Sequence, residues 1–218
     1  MQVRSTSSLS RAARRLLPIT AAAALAVAAL PGAASATSYG TNLVKNGSFE
    51  NGLASWETFV SPTTRTYKPA TGGFPSPSQG SNIGGGSRFA YLGPNEVLGC
   101  GDLSQAIKLT GLNSAIDSGH VKVRFKGYAA TQGGASFNAH IDLYFRTADN
   151  HNVPNGSNGI TRKVSQTNQQ YRSISVTKTL PKGTRLLRVH LWADGDDPSS
   201  SGDCPGFYDK LSVTLIRS

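Results

Sequence analysis

The sequence predicts an all-β fold, a β-sandwich of the jelly-roll type. Short runs of alternating apolar and polar residues recur along residues 37–218, and Gly, Ser, Thr and Asn separate them. No apolar pattern with the 3.6-residue period of a helix persists for three turns. Strands spaced in this way are typical of sandwiches and jelly rolls rather than of β-α-β units.

Ten segments have the composition and alternation of strands, and three long surface loops separate some of them. The loops comprise residues 62–86, which are rich in Pro, Gly and Ser, and residues 149–159 and 194–205. Long loops on a rigid sheet often carry function. The predicted strands comprise residues 42–44, 55–60, 88–92, 103–109, 120–129, 136–147, 161–165, 171–180, 185–193 and 207–217.

Three of these strands, residues 120–129, 136–147 and 185–193, have one apolar and one polar or aromatic face. Successive side chains of a strand point to opposite faces, so we expect the apolar positions in the core. If the three strands share a sheet, their other faces form one aromatic and hydrogen-bonding platform for a ligand. A solvated surface, or one partly covered by loops, is the alternative. The candidate ligand-binding residues are Arg124, Tyr128, His140, Asp142, Tyr144, His190 and Trp192.

The first 36 residues have the three zones of a secretory signal peptide. A basic segment precedes an apolar stretch, residues 16–30, and Ala34-Ser35-Ala36 then provides the small residues that signal peptidase requires. We therefore expect cleavage before Thr37 and a secreted, extracellular protein. A transmembrane anchor is the alternative, but the apolar stretch is shorter than the ~20 residues that a spanning helix needs. The basic residues are Arg4, Arg11, Arg14 and Arg15.

Cleavage would change the charge of the chain. Four of the 22 basic residues would leave, so that 18 basic and 12 acidic residues give a net charge of +6 instead of +10. The remaining charges are scattered, without the basic block of a nucleic-acid-binding arm. We expect no nucleic-acid partner and no membrane association after cleavage. Residues 37–218 are expected to form one domain, as a monomer and without an attached catalytic domain.

The sequence contains two cysteines, Cys100 and Cys204. In an oxidising compartment an even pair most simply forms a disulfide, and two free thiols are the alternative. The closed loop would be long, so in the chain-entropy model the bond would contribute ~4–5 kcal/mol to stability.

Three segments carry a resemblance to a known family. Residues 42–56 read NLVKNGSFENGLASW, residues 103–107 read LSQAI, and residues 206–215 read GFYDKLSVTL. Together they resemble the carbohydrate-binding modules of families four and nine, in the galactose-binding-domain-like superfamily. The resemblance spans almost all of residues 37–218 and is more specific for the fold than for the ligand. It implies a β-sandwich whose partner is a polysaccharide or other glycan.

The same resemblance implies a structural Ca²⁺ ion that joins the first strand to the last. By position, Asp209 would be the best side-chain ligand, and the Ser48 carbonyl and Glu50 would bind from the N-terminal side. A plain carboxylate pair at the edge of the sandwich is the alternative. A second acidic cluster is more typical of a solvated turn than of a metal site; it comprises Asp194, Asp196, Asp197 and Asp203.

The sequence lacks the common catalytic motifs. Its four histidines have no close metal-ligand spacing, and neither Cys-x-x-Cys, His-Glu-x-x-His nor Gly-x-Ser-x-Gly occurs. We therefore favour a secreted, non-catalytic glycan-binding module. An extracellular envelope or adhesion protein is one alternative. Another is a polysaccharide lyase, which needs a base and cations that neutralise a uronate; its candidates are His140, Tyr144, Arg124 and Lys122.

Overall fold

Twelve strands and two short helices are found in the described part of the chain. The computed structural model describes residues 36–60, 62–68, 73–95, 99–132, 137–154, 158–165, 167–195 and 205–218. The helices are α1 (Pro77–Asn82) and α2 (Asn113–Asp117). The strands are β1 (Glu57–Phe59), β2 (Thr63–Thr66), β3 (Arg88–Leu92), β4 (Pro94–Asn95), β5 (Gly99–Cys100), β6 (Asp102–Lys108), β7 (Val121–Thr131), β8 (Phe137–Arg146), β9 (Gly159–Ser165), β10 (Arg172–Thr179), β11 (Leu186–Gly195) and β12 (Gly206–Arg217).

Ten of the strands form two antiparallel sheets of five. The first sheet has the order β1-β6-β11-β8-β9, and the second has the order β10-β7-β12-β3-β2. The strands β4 and β5 form a separate two-stranded ribbon. The predicted all-β sandwich is therefore confirmed.

The core lies between the two sheets. The apolar faces of β7 and β8 are fully buried there, with Val123 and Phe125 on β7 and Ile141 and Leu143 on β8. These are the positions that the two-residue period assigned to the core. The same period places the residues between them on the outer faces of the sandwich.

A second apolar cluster lies on the outer face of the second sheet. It contains the buried residues Phe89, Tyr91 and Phe207, and Tyr67 and Phe74 pack against it. The segment predicted as a loop, residues 62–86, contains β2 and α1, and its residues Tyr67 and Phe74 cover part of this cluster. The helix begins with a capping box, in which the Ser76 and Gln79 side chains bond each other's backbone N–H groups. Tyr67 and Phe74 thus give the described residues of this segment an apolar contact with the sheet.

Residues 42–44 do not form the predicted strand. Asn42 makes a single bridge with Thr214. Its side-chain oxygen accepts hydrogen bonds from the backbone N–H groups of Val44, at 3.1 Å, and Val213, at 3.0 Å. The side chain thus takes donors that a continued ladder would pair, and turns follow from residue 45.

Some predictions concern residues outside the described part of the chain. These are residues 1–35 of the predicted signal peptide, Cys204 of the predicted disulfide, and Asp196, Asp197 and Asp203 of the second acidic cluster. The cleavage site, the disulfide and that cluster stay predictions. Within the described residues, no helix combines the length and hydropathy needed to span a bilayer.

Candidate functional site

The outer face of the first sheet carries three rows of polar and aromatic side chains. The central strand β11 contributes Arg188, His190 and Trp192, at alternate positions. The register places Arg188 opposite Tyr144 on β8, His190 opposite Asp142, and Trp192 opposite His140. On its other side, β11 pairs with β6, and β6 pairs with β1. These strands place Ser104 and Glu57 in the row of His190, and Asp102 and Phe59 in the row of Trp192.

Asp142 lies at the centre of this face and orients two aromatic rings. It is only 1% exposed. Its Oδ2 atom accepts a 2.9 Å hydrogen bond from the Tyr144 hydroxyl and a 2.8 Å hydrogen bond from the indole N–H of Trp192. A charge-assisted acceptor shared by two rings fixes both orientations. Asp142 therefore positions the rings from beneath.

His140 supports Trp192 in a similar way. The two rings stack with their centroids 3.6 Å apart and their planes 10° apart. The Nε2 atom of His140 lies 3.0 Å from Oδ2 of Asp194, and the imidazole is buried. The stack covers one face of the half-buried Trp192 ring. Asp194, expected in a solvated turn, instead lies at the end of β11 and pairs with His140.

A groove of about 540 Å³ crosses this face beside the aromatic residues. Tyr144 lies on one side of it, and Phe59, which is 68% exposed, lies on the other. The groove is lined by Glu57, Thr58, Phe59, Asp102, Ser104, Tyr144, Arg146, Arg188 and His190.

Paired charges form the polar part of the groove. Arg188 Nη1 lies 2.9 Å from Glu57 Oε2 and also donates to the Ser104 hydroxyl at 2.9 Å. His190 Nε2 lies 3.6 Å from Asp102 Oδ2. Basic and acidic side chains thus lie beside each other in the groove. It offers both hydrogen-bond donors and acceptors to a ligand.

Tyr144 keeps its proton over a wide pH range. Burial raises the pKa of its hydroxyl to about 12, and the charge of Asp142 and the hydrogen bond to Asp142 act in the same direction. The guanidinium of Arg146, 5.0 Å from the ring centroid, lowers the pKa but does not offset these effects. A tyrosine in this state is a neutral donor at neutral pH.

Two predicted ligand residues lie elsewhere. Arg124 and Tyr128 are on β7 in the second sheet, so they occupy the outer face on the opposite side of the sandwich. The structure brings together the other five predicted residues and buries His140 and Asp142 beneath the surface. The candidate lyase residues are divided as well, because Lys122 and Arg124 lie on β7 and the other two lie on β8.

Sequence reasoning missed several residues that line the groove. Two of them had a signal in the sequence. Arg188 alternates with apolar residues of β11 and so points outward, and Ser104 belongs to the LSQAI segment. The signal for Glu57 and Phe59 was weak, because β1 has only three residues. The missed residues are Glu57, Phe59, Asp102, Ser104, Arg146 and Arg188.

Glu50 and Asp209, the predicted calcium ligands, lie together at the second sheet. Asp209 is buried and accepts hydrogen bonds of 2.6 Å from the Tyr67 hydroxyl and from its neighbour's backbone N–H. Burial raises the pKa of Asp209 to about 7, and the charge of Glu50 adds to the rise. For Glu50, burial acts to raise the pKa, but hydrogen bonds from Ser87 and Arg88 outweigh it and lower the pKa.

A cation would fit the charge at this site. Neither carboxylate forms an ion pair with Lys or Arg among the described residues. The same residues contain no group of three or more His, Cys, Asp and Glu side chains that could hold a metal. Calcium binds six to eight oxygens, so backbone carbonyls such as that of Ser48, and water, would have to complete the shell. Asp209 and Glu50 would then hold the ion.

Gly85 and Gly86 close the loop over the two carboxylates. A Cβ atom on Gly85 would lie 2.2 Å from Asp209 Oδ2, and one on Gly86 would lie 2.5 Å from Glu50 Oε1. At both distances, a side chain would fit only if the neighbouring carboxylate moved. The absence of a side chain at Gly85 and Gly86 therefore allows the close approach of the loop backbone to the two carboxylates.

The sequence matches no protein-family model and no curated protein. Among solved structures, the chain is similar to the enzymatically active domain of tailspike protein 4 from bacteriophage CBA120, with 17% identity and a TM-score of 0.50. The match covers 80% of this chain but only 21% of the tailspike chain. A cyclase from Fischerella sp. TAU is 11% identical with a TM-score of 0.50, and the match covers 80% of this chain and 96% of the cyclase.

Carbohydrate-binding modules are also among the structural neighbours. The CBM22-1 xylan-binding domain from Paenibacillus barcinonensis Xyn10C is 13% identical, with a TM-score of 0.47 and coverage of 84% of this chain and 99% of that domain. At such identities the likeness concerns the fold. Function therefore has to be argued from the site.

Proposed function

We propose that this chain is a secreted, non-catalytic module that binds a polysaccharide along the groove of the first sheet. The observation that carries the proposal is the composition of that groove. Two accessible aromatic rings, of Phe59 and Tyr144, flank a polar floor that contains the Arg188–Glu57 and His190–Asp102 pairs. The lining residues come from the four adjacent strands β1, β6, β11 and β8, so the groove extends across most of the sheet.

Sugars need this combination of groups. A pyranose ring has an apolar face, formed by its C–H groups, that packs on an aromatic ring, and a rim of hydroxyls that donate and accept hydrogen bonds. Charged side chains make the stronger hydrogen bonds to such hydroxyls. Among the residues that line the groove, the formal positive charges of Arg146 and Arg188 balance the formal negative charges of Glu57 and Asp102, so the groove is close to neutral. The groove therefore suits a neutral polysaccharide.

The rigid support of the rings favours binding. Asp142 and His140 hold Tyr144 and Trp192 from beneath, so these rings lose little conformational freedom when a ligand binds. Preorganisation of this kind increases affinity because it lowers the entropy lost on association.

The geometry does not favour a lyase built from the predicted residues. Lys122 and Arg124 lie on the opposite side of the sandwich from His140 and Tyr144. A general base should have a pKa near the working pH, whereas the pKa of Tyr144 is raised to about 12. Binding without turnover is therefore the better proposal.

Secretion, the disulfide and calcium belong to the same proposal. Residues 1–36 would direct export, and Cys100 and Cys204 would form a disulfide in the oxidising compartment. A calcium ion on Asp209, Glu50 and the Ser48 carbonyl would be structural. Addition of a chelator should then lower the melting temperature, and added Ca²⁺ should restore it. An unchanged melting temperature would remove the ion from this account.

A panel of polysaccharides tests the binding function. The purified protein is incubated with insoluble and soluble glycans, and retention is measured by pull-down and by affinity electrophoresis. The ultraviolet absorbance of unsaturated products is recorded in the same samples. Retention on a neutral polysaccharide without product supports the proposal. Product formation would support a lyase, and no retention on any glycan would contradict a glycan-binding role.

A further inference from the structure

Basic side chains surround β10, at the edge of the sandwich opposite to β1. They belong to two groups that neither the groove nor the core uses. One group lies on the outer face of β7, and the other lines a cavity between the edge strands β9 and β10. We call them together the basic band; its residues are Lys122, Arg124, Lys126, Arg162, Lys163 and Arg172.

The row on β7 has no acidic neighbour across the sheet. Opposite charges are the usual cross-strand partners of Lys and Arg, and like charges close together are destabilising. Here hydroxyl groups occupy nearly all of the neighbouring positions instead. The positions that pair with the three cations are Thr179, Thr177 and Ser175 on β10, and Ile216, Thr214 and Ser212 on β12.

The cavity between β9 and β10 has a volume of about 480 Å³. Arg162, Lys163 and Arg172 line it and are exposed, and its other polar side chains are serines. No carboxylate is among the lining residues. Arg162 and Arg172 occupy core-facing positions of edge strands, where charges prevent aggregation. That role does not account for Lys163 or for the row on β7.

Strand β10 joins the two groups into one surface. Ser173 and Ser175 line the cavity, and they also pair with Tyr128 and Lys126 on β7. Adjacent strands are ~4.8 Å apart, so the row and the cavity are separated by the width of one strand. A single extended ligand could contact both.

The charge of this surface differs from that of the groove. In the groove, Arg188 is paired with Glu57 and His190 faces Asp102. In the basic band, no ion pair with a carboxylate is found among the described residues. The band therefore offers unneutralised positive charge flanked by hydroxyls.

We propose that the basic band is a second binding site, for an anionic polysaccharide that carries carboxylate or sulfate groups. Lys and Arg would bind the acidic groups, and the flanking Ser and Thr side chains would bind sugar hydroxyls. A nucleic acid fits less well, because single-strand binding relies on exposed aromatic platforms and Tyr128 is half-buried. The site is independent of the groove, so it can exist whether or not the groove binds a neutral glycan.

Binding of the full protein to polygalacturonate tests the proposal, with affinity electrophoresis and calorimetry as readouts. The triple variant Lys122→Gln/Arg124→Gln/Lys126→Gln and the double variant Arg162→Gln/Arg172→Gln should each weaken binding about tenfold or more. Retention on any neutral glycan that binds the groove should not change. A result in which the groove binds no glycan would therefore be distinguishable from one in which the basic band binds no polygalacturonate.

The control is the triple variant Lys45→Gln/Lys108→Gln/Lys182→Gln. Like the β7 triple variant, it removes three positive charges, but from exposed positions outside the basic band. It should weaken polygalacturonate binding less than about twofold. An equal loss in the control would show that net charge alone drives binding and would overturn the proposal. Absence of binding to polygalacturonate and to dextran sulfate, or equally tight binding of duplex DNA, would also overturn it.

Discussion

Asp142 accepts a 2.8 Å hydrogen bond from the indole N–H of Trp192, which lies on the neighbouring strand of the first sheet. The same carboxylate oxygen accepts a hydrogen bond from the Tyr144 hydroxyl. One buried charge therefore sets the orientation of two rings and also affects the acidity of one of them. This relationship leads to a direct prediction.

Replacing Asp142 by Asn should lower the pKa of Tyr144 from about 12 towards its ordinary value of 10.0. Burial, the largest cause of the shift, would remain, so the pKa should fall only part of the way. Tyrosinate absorbance measures the change when Asp142→Asn is compared with Asp142→Asn/Tyr144→Phe. The raised pKa stabilises the fold below pH 10, and this contribution is lost as the pH rises through about 12.

Asp102→Asn is the control for this titration. Asp102 also lines the groove, but its side chain pairs with His190 rather than with Tyr144. Its replacement should leave the pKa of Tyr144 at about 12. An equal shift in both variants would mean that the general charge of the groove, and not the buried carboxylate, controls Tyr144.

Removing either aromatic ring of the groove should weaken glycan binding. We expect Tyr144→Ala and Phe59→Ala each to raise the dissociation constant about tenfold, which is ~1.4 kcal/mol. Tyr128→Ala is the matched control, because Tyr128 lies on the outer face of the other sheet. Calorimetry with the polysaccharide found by the panel gives all three values. If Tyr128→Ala weakened binding as much as Tyr144→Ala, the ligand would not lie in the groove.

Because of the ion pair between Asp117 and Arg185, the stability of the fold should depend on pH. Arg185 holds the carboxylate with two hydrogen bonds, of 2.9 and 2.6 Å, and with the Gly183 N–H it lowers the pKa of Asp117 to about 2. A lowered pKa stabilises the fold above the ordinary value of 3.8, and the contribution disappears as the pH falls through about 2.

Asp117→Asn should therefore have a lower melting temperature than the unmodified protein near neutral pH, and the difference should vanish at about pH 2. The Asp117 side chain is 31% exposed, so solvent and salt keep the effect small. Arg185→Gln should show the same pH dependence, and the double variant should lose little more than either single one. Additive losses would indicate that the two side chains do not act as a pair.

The sequence was sufficient to predict the faces of the strands but not their neighbours. The two-residue period assigned Val123, Phe125 and Ile141 to the core, as found. The period contains no information about which strands pair. Arg124 was therefore grouped with His140, although their strands belong to different sheets. Pairing depends on long-range packing that one strand's pattern does not express.

The buried part of the site was equally hard to predict. A polar residue at an outward position, such as Asp142, is expected to be solvated or to meet a ligand. Here the hydroxyl of Tyr144 and the indole of Trp192 both donate to its Oδ2 atom, and the side chain is buried; among the described residues, its Oδ1 atom has no hydrogen-bond partner. Such mutual burial depends on cross-strand register, which is known only once the sheet order is known. The helix α1, in contrast, had a local signal in the capping box of Ser76 and Gln79.

Gly85 and Gly86 lie over the Asp209–Glu50 pair, and replacing each of them by Ala should affect stability to a different extent. In Gly85→Ala, the new Cβ atom would lie 2.2 Å from Asp209 Oδ2 and 2.9 Å from the Tyr67 hydroxyl. Both atoms are hydrogen-bonded to each other, and Asp209 is fully buried, so neither can move easily. In Gly86→Ala, the close atom belongs to Glu50, an exposed side chain that can shift.

We therefore expect Gly85→Ala to lower the free energy of unfolding by about 1–3 kcal/mol, the range for overpacked sites, and Gly86→Ala to lower it less. Urea unfolding of both variants gives the comparison. Truncating Asp209 to Ala in the Gly85→Ala background should reduce the penalty of the added methyl group, because the clashing oxygen is gone. If the penalty is the same with and without the Asp209 carboxylate, contact with that carboxylate is not the reason that position 85 is a glycine.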